Sequence, residues 1–160
     1  IKKFIKLLKF RFKMKINIIN SSRVNGLNKY IKKDYFNIAI GGNYEINKKI
    51  LDNKKINLLL DPEPLSKDFM KYYDSGLNQV LIKLAKKNNI GIGFTIERLI
   101  KLNKLERVNL FGKIMQNIMM CNKYKVDIYM INFNNKNIND LNSLGISLNA
   151  KKINIIQEEI

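Results

Sequence analysis

Histidine and tryptophan are absent from the sequence, cysteine occurs once and proline twice. Without an imidazole, the chain lacks the commonest general base, the base of Ser-His and Cys-His nucleophile pairs, and the usual ligand of catalytic zinc. We therefore do not expect hydrolysis by this chain alone. The single cysteine, Cys121, lies in an apolar helical run, where a small buried hydrophobic residue is expected rather than a reactive thiol. One cysteine forms no intrachain disulfide, which fits a cytoplasmic location.

Acidic residues are also scarce, because 13 Asp and Glu stand against 30 Lys and Arg, leaving a net charge of +17 on 160 residues. Residues 1–60 hold fifteen basic and three acidic side chains, whereas residues 61–160 hold fifteen and ten. Such an excess repels itself unless a polyanion neutralises it, so nucleic acid is the first partner class to consider. No apolar stretch approaches the roughly twenty residues of a membrane span, and we expect no membrane partner.

Short runs rich in β-branched residues alternate with segments of helical periodicity. Runs such as INLLL are too continuously apolar for a sheet with one wet face, which indicates a parallel sheet covered by helices. The pattern predicts an α/β fold with a TIM-barrel-like architecture, reduced or truncated at its N-terminus, in a single domain over residues 1–160. The predicted strands are Lys15–Ile19, Phe36–Ile40, Ile56–Leu60, Ile90–Ile96 and Val126–Ile131.

The intervening segments predict helices. In the second, Leu77, Val80, Leu81 and Leu84 form the expected buried stripe. In the third, the expected stripe is Val108, Phe111, Met115, Ile118 and Met119. Asp74 or Ser75 is the expected cap of the second helix. The predicted helices are Tyr44–Asn53, Gly76–Asn88, Glu106–Lys123, Ile138–Leu144 and Ser147–Ile160.

Two short motifs each allow a structural and a functional interpretation. Asp61 and Glu63 follow a predicted strand, where barrel enzymes place active sites, and with Asp74 they offer oxygen ligands for magnesium. A rigid turn is favoured instead, because two prolines fix the backbone and Asp61 can accept from local backbone donors. Gly41-Gly42 follows a strand and either cradles a phosphate with backbone donors or allows a tight turn with positive φ.

Lysines recur in groups that together could follow a phosphate backbone. A dense N-terminal group also gives the opening segment an amphipathic, basic character that would suit an anionic membrane surface. Each later pair alone is more often a solvated face. The groups are Lys2, Lys3, Lys6, Lys9, Arg11, Lys13 and Lys15, then Lys32-Lys33, Lys48-Lys49, Lys54-Lys55 and Lys151-Lys152.

From Phe36 to Lys152 the order of motifs resembles one known family. The motifs are IAIGGNYEINKKILDN, INLLLDPE, DSGLNQVLIKLAKKNNIGIGFTI, ERVNLFGKIMQNIMMCNKYKVDIYMI and NDLNSLGISLNAKK. They are similar to those of archaeal ribonuclease P protein component 3, the counterpart of a eukaryotic thirty-kilodalton subunit. The chain differs from the family in lacking its first strand–helix unit, in having NFNNKN after the last predicted strand, and in its short C-terminal tail.

The resemblance implies a TIM-barrel-like subunit of a ribonucleoprotein endoribonuclease that removes the 5′ leader of precursor tRNA. It implies no catalytic residue and no cofactor or metal on the protein, with Mg²⁺ bound by the RNA subunit. The implied partners are ribonuclease P RNA, precursor tRNA and the small partner protein subunit. A metal-dependent hydrolase and a general or ribosomal RNA-binding protein remain the alternatives. The positions implied to face RNA or protein are Lys48, Lys49, Asp74, Ser75, Arg107, Lys123, Lys151 and Lys152.

Overall fold

A computed structural model describes residues 15–64, 74–133 and 136–157, and within them six strands form one parallel sheet. Each strand pairs with the next one along the chain. The strands are β1 (Ile16–Ile19), β2 (Phe36–Ile40), β3 (Leu58–Leu60), β4 (Gly91–Thr95), β5 (Ile128–Asn132) and β6 (Asn154–Gln157). The helices are α1 (Tyr44–Leu51), α2 (Gln79–Asn88), α3 (Ile96–Lys101), α4 (Lys104–Tyr124) and α5 (Ile138–Ser147).

The helices cover one face of the sheet. A sequential strand order with right-handed crossovers places every connecting helix on the same side, as in a β/α barrel. The larger core lies between this face and the helices, where Ala39, Leu59 and Met130 of the strands pack with Ile50 and Ile82 of the helices. The predicted α/β, TIM-barrel-like fold is therefore confirmed, in the form of an open half-barrel within the described residues.

The opposite, concave face has its own apolar cluster around Ile38, Leu58, Leu60 and Ile131. Strand β4 contributes glycines at this face. A Cβ on Gly91 would lie 2.4 Å from the Tyr129 ring, and one on Gly93 would lie 3.2 Å from Leu58. Because Gly91 and Gly93 have no side chains, Tyr129 and Leu58 of the neighbouring strands fill the space above β4.

All five predicted strands are found within two residues of their expected bounds, and the predicted helix at Tyr44–Asn53 is confirmed as α1. The prediction of a helix over Ser147–Ile160 is wrong. Helix α5 ends at Ser147, Asn149 adopts a left-handed conformation with φ of 63°, and Asn154–Gln157 pairs with β5. A left-handed residue after the last turn ends a helix, and the apolar residues beyond it complete the sheet.

Two predicted helix stripes are also wrong in part. Val80, Val108 and Met119 are 66%, 61% and 63% exposed. Helix α2 begins later than expected, because Asn78 is its cap and accepts from Leu81 N at 2.9 Å. In α4 the buried side includes polar residues that a stripe of apolar letters does not reveal. The buried residues of α4 are Leu110, Lys113, Ile114, Asn117, Ile118 and Cys121.

Candidate functional site

Asp61 connects the carboxyl ends of β3 and β4. It has a φ of 49°, and its carboxylate accepts from the Thr95 backbone N–H at 2.9 Å and from the Thr95 hydroxyl at 2.8 Å. Both carboxylate oxygens are therefore engaged by the neighbouring strand. The carboxylate thus has a structural role, but the expectation that its donors are local is wrong, since Thr95 lies 34 positions away in the sequence.

Glu63 lies two residues further on and is only 2% exposed. Its Oε1 accepts from Asn117 Nδ2 at 2.8 Å, and its Oε2 lies 3.3 Å from Arg98 Nη1. Arg98 also donates to the Glu63 carbonyl and lies 3.9 Å from Asp61 Oδ1. Asn117 donates a second hydrogen bond to the Ser75 carbonyl at 2.9 Å. The guanidinium of α3 and the amide of α4 thus fix the DPEP turn from two sides.

Burial raises the pKa of both carboxyl groups. The pKa of Glu63 is raised to about 7, first by loss of hydration and then by the neighbouring Asp61. The pKa of Asp61 is also raised by burial, against the lowering effects of Arg98 and Thr95. Burial likewise raises the pKa of the Cys121 thiol to about 12. The expectation of a buried, unreactive Cys121 is confirmed by its 1% exposure.

The arrangement of the acidic residues favours the turn over the magnesium site. Protein donors surround Asp61 and Glu63, while Asp74 Oδ1 accepts from Gly76 N at 2.9 Å in a separate turn. Among residues 15–64, 74–133 and 136–157, no three His, Cys, Asp or Glu side chains are grouped to hold a metal ion. The three carboxylates that a hydrolase would use act on the polypeptide itself.

Gly41 and Gly42 are engaged by Asn47 of α1. The Gly42 N–H donates to Asn47 Oδ1 at 3.0 Å, and a Cβ on Gly41 would lie 2.4 Å from the same oxygen. Asn47 Nδ2 donates in turn to the carbonyls of Pro62 and Gly76 at 2.9 and 2.8 Å. Neither Gly41 nor Gly42 has a positive φ, so of the two alternatives the tight turn with positive φ is wrong. The pair allows close packing on a buried amide, not a strained turn.

The residues implied by the family resemblance lie in three separate places. Lys123, Lys151 and Lys152 are exposed near the amino ends of β5 and β6, while Lys48 and Lys49 are exposed on α1. Lys49 Nζ donates to Asn25 Oδ1 at 2.9 Å. Lys151 and Lys152 lie in the connection from α5 to β6 rather than in a helix.

The other three implied residues lie at the carboxyl ends of the strands. Ser75 is 1% exposed, and its hydroxyl donates to the Leu77 carbonyl at 3.2 Å. The Arg107 guanidinium donates to the carbonyls of Leu99 and Leu102, both at 2.9 Å, and so caps the C-terminal end of α3. Their structural contacts are within the chain. Lys2, Lys3, Lys6, Lys9, Arg11 and Lys13 lie outside the described residues.

Sequence reasoning missed the partners of the acidic turn. Arg98, Asn117 and Asn47 carry most of its hydrogen bonds, and Lys113, 3% exposed, donates to the Pro64 carbonyl at 3.1 Å. A polar residue on the apolar side of a predicted helix was the available indication. Asn117 lies one position before Ile118 in the expected stripe of α4 and is 2% exposed.

Comparison with known proteins identifies relatives of one kind. No family model matches the chain. Ribonuclease P protein component 3 of Methanococcus vannielii is 29% identical over 148 residues, which cover 84% of this chain and 62% of that protein. The protein of the same name from Methanosarcina barkeri is 32% identical over 112 residues, covering 69% of this chain and 44% of that protein.

The chain is a relative of ribonuclease P protein component 3. It spans 62% of the length of the Methanococcus vannielii protein. A chain in a cryo-EM structure of archaeal ribonuclease P with mature tRNA has the same fold, with a TM-score of 0.68 and 21% identity. That match covers 86% of this chain and 62% of the other. The resemblance predicted from the motifs is confirmed.

Within the described residues, no helix is both long enough and apolar enough to cross a membrane.

Proposed function

We propose that the chain is an RNA-binding protein subunit of ribonuclease P. It supports a catalytic RNA in removing the 5′ leader of precursor tRNA and performs no cleavage itself. The observation that carries the proposal is the similarity to ribonuclease P protein component 3 over 84% of the chain. The net charge of +17 gives a physical reason, because such a protein reduces repulsion between RNA phosphates that fold together.

The edge of the sheet where the strands end, which we call the carboxyl edge, also favours a non-catalytic role for the protein over a catalytic one. Barrel enzymes use this edge for chemistry, yet here Asp61 and Glu63 are engaged by Thr95, Arg98 and Asn117. Under the proposal, the Mg²⁺ ions that cleavage requires are bound by the RNA subunit, and the protein binds no cofactor. The remaining proposed partners are precursor tRNA and the small protein subunit of the same complex. The location we propose for a subunit that acts on precursor tRNA is the cytoplasm.

The test is binding of the purified full chain to ribonuclease P RNA from Methanococcus vannielii and to an unrelated folded RNA of equal length, at matched salt. We expect at least about tenfold tighter binding to the ribonuclease P RNA, since non-specific phosphate contacts are common to both. Equal affinity for the two RNAs would support a general RNA-binding protein and overturn the proposal.

A second measurement separates the proposal from a metal-dependent hydrolase. The chain with Mg²⁺ and precursor tRNA, but without ribonuclease P RNA, should release no leader. Cleavage that persists in that mixture and disappears in Asp61→Asn would assign catalysis to the protein.

A further inference from the structure

Lysines occupy every turn at one edge of the sheet. The amino ends of β2 to β6 are reached by helix-to-strand connections, and each connection, or the helix turn that leads into it, carries a lysine. Lys15 directly precedes β1. We call this the amino edge. It comprises the exposed residues Lys15, Lys32, Lys33, Lys54, Lys55, Lys86, Lys87, Lys123, Lys125, Lys151 and Lys152, with the aspartates Asp34, Asp52 and Asp127.

The helix dipole explains only part of this pattern. Cations stabilise the last turn of a helix, but the effect falls off beyond that turn. Lys86, Lys87 and Lys123 occupy such last turns. In contrast, Lys32 and Lys33 follow a short 3-10 turn, and Lys151 and Lys152 follow α5, whose last turn has no basic residue. Those lysines need another reason.

The amino edge has three aspartates against eleven lysines. Within residues 15–64, 74–133 and 136–157, the ion pairs shorter than 4.0 Å join Arg98 to Asp61 and Glu63, at the other edge of the sheet. The aspartates of the amino edge therefore form no ion pair with its lysines. Like charges held together in this way repel each other until an external anion binds.

Two tyrosines hold lysines in pairs. The Nζ atoms of Lys15 and Lys32 lie 5.8 and 5.1 Å from the centre of the Tyr35 ring. At the other end of the sheet, Lys123 and Lys83 lie 5.7 and 5.8 Å from the Tyr124 ring. A cation near an aromatic face is stabilised by the ring. The rings thus place two cations from different parts of the chain side by side.

Two clefts open on the same edge. One, of about 200 Å³, lies between the connections into β5 and β6 and is lined by Lys125, Lys151, Lys152 and Asp127. The other, of about 110 Å³, is lined by Lys86, Lys125, Asn89 and Asp127. The edge is therefore indented, with four lysines and one aspartate on the walls of the clefts, and it extends for about 24 Å across five strand spacings.

The scarcity of exposed apolar side chains near the amino edge indicates which class of partner it binds. Among the ten most exposed large hydrophobic side chains of residues 15–64, 74–133 and 136–157, Tyr30 lies in a connection of this edge and Ile146 lies in the last turn of α5. Arg23 lies 4.9 Å from the Tyr30 ring, and the other eight side chains lie elsewhere, so the edge has no apolar centre. Protein interfaces have an apolar centre and membrane-bound surfaces insert apolar side chains. RNA phosphates require neither. The chemistry fits a phosphate backbone.

We propose that the amino edge is the surface on which the chain binds the phosphate backbone of folded RNA. The inference rests on the proposed function for the identity of that RNA, but the surface itself is defined by the lysines. The carboxyl edge faces away from the RNA backbone.

The test compares two charge-matched sets of variants of the full chain. The edge variant carries Lys54→Gln, Lys55→Gln, Lys151→Gln and Lys152→Gln. The control variant carries Lys101→Gln, Lys104→Gln, Lys136→Gln and Gln116→Glu. These four residues are exposed and lie outside the amino edge, and the changes lower the net charge by four, as in the edge variant. Affinity for ribonuclease P RNA and for an equally long unrelated folded RNA is measured between 50 and 200 mM salt.

We expect the edge variant to lose at least about tenfold in affinity at 0.1 M salt, and the slope of log affinity against log salt to decrease by about 3. The control variant should lose less than about threefold. Equal losses of RNA affinity in the two variants would overturn the proposal that the amino edge is the binding surface. In another outcome, the wild-type chain binds both RNAs equally and the edge variant binds neither well. That result would support the amino edge as the binding surface and overturn the proposed function.

Acetylation of lysines in the presence and absence of the RNA provides a readout that needs no variant. Protection of Lys54, Lys55, Lys151 and Lys152, with Lys101 and Lys104 modified equally in both samples, is the expected result. Protection of Lys101 and Lys104 alone would place the RNA at the wrong edge and contradict the inference.

Discussion

The two edges of the sheet use charge in opposite ways. At the carboxyl edge, Asp61 and Glu63 are buried and Arg98 connects them, so the charges are satisfied within the chain. At the amino edge, lysines are exposed and lack carboxylate partners among the described residues. The first arrangement stabilises a turn, and the second leaves charge for a partner. Changes at one edge should therefore alter folding and changes at the other should alter binding.

Arg98→Met should have the largest effect. It leaves two buried carboxyl groups without their cation, which costs about 3–5 kcal/mol in the free energy of unfolding. Chemical denaturation measures the loss. Lys101→Met, on the same helix but exposed, is the control and should change stability by less than about 0.5 kcal/mol. Similar losses of stability in the two variants would contradict the view that the charges of the carboxyl edge stabilise the fold.

The pH dependence of stability should come from the carboxyl edge. The pKa of Glu63 is about 7 in the folded protein, above the value of 4.5 for an ordinary glutamate. The folded state then binds the proton more tightly than the unfolded state, so this contribution is complete below about pH 4.5 and is lost as the pH rises through about 7.

The expected decrease between those pH values is about 3 kcal/mol, and Asp61, with its raised pKa, acts in the same direction. Glu63→Gln should flatten the profile in a series of denaturation curves. A profile that keeps its slope in Glu63→Gln would assign the pH dependence to another group.

Two asparagines of α4 offer a matched pair. Asn117→Ala removes donors to Glu63 and the Ser75 carbonyl and should cost about 2 kcal/mol, because buried acceptors lose their partners. Asn122 lies at the amino edge, where its half-buried side chain donates to the Asn149 carbonyl at 2.7 Å and accepts from Lys151 N at 3.2 Å. Asn122→Ala should cost less than about 1 kcal/mol. A larger loss of thermal stability in Asn122→Ala than in Asn117→Ala would show that the amino edge contributes more to folding than the carboxyl edge does.

The smallest expected effect is on the salt dependence of melting. Because exposed lysines repel each other, raising NaCl from 0.05 to 0.5 M should stabilise the wild-type chain by about 0.5 kcal/mol. The edge variant with four glutamines should show less of this increase. An unchanged salt response would mean that the lysines are too far apart to interact.

Much of the fold was predictable because the strands are short apolar runs with turns between them. The strand β6 was not, since IIQ at the end of the chain is as compatible with a helix as with a strand, and its pairing with β5 is decided by tertiary contact. The turn at Asp61 was predicted from local chemistry. Arg98 lies 37 positions from Asp61, and Asn117 lies 54 positions from Glu63, separations that no local pattern bridges.

The grouping of lysines was visible in the sequence, but their common edge was not. Lys32, Lys54 and Lys151 belong to separate connections, and only a parallel sheet with sequential strands brings them to one side. The positions implied by the family resemblance are divided between that edge, α1 and the opposite edge, so their roles stay predictions.

The glycines of β4 have a consequence for what this chain could evolve to do. Tyr129, Leu58 and Leu60 fill the volume above Gly91 and Gly93, just as packed side chains fill the interior of a closed barrel. The concave face therefore leaves no room there for a small molecule. Substitutions of exposed lysines at the rim, in contrast, change surface charge without disturbing this packing.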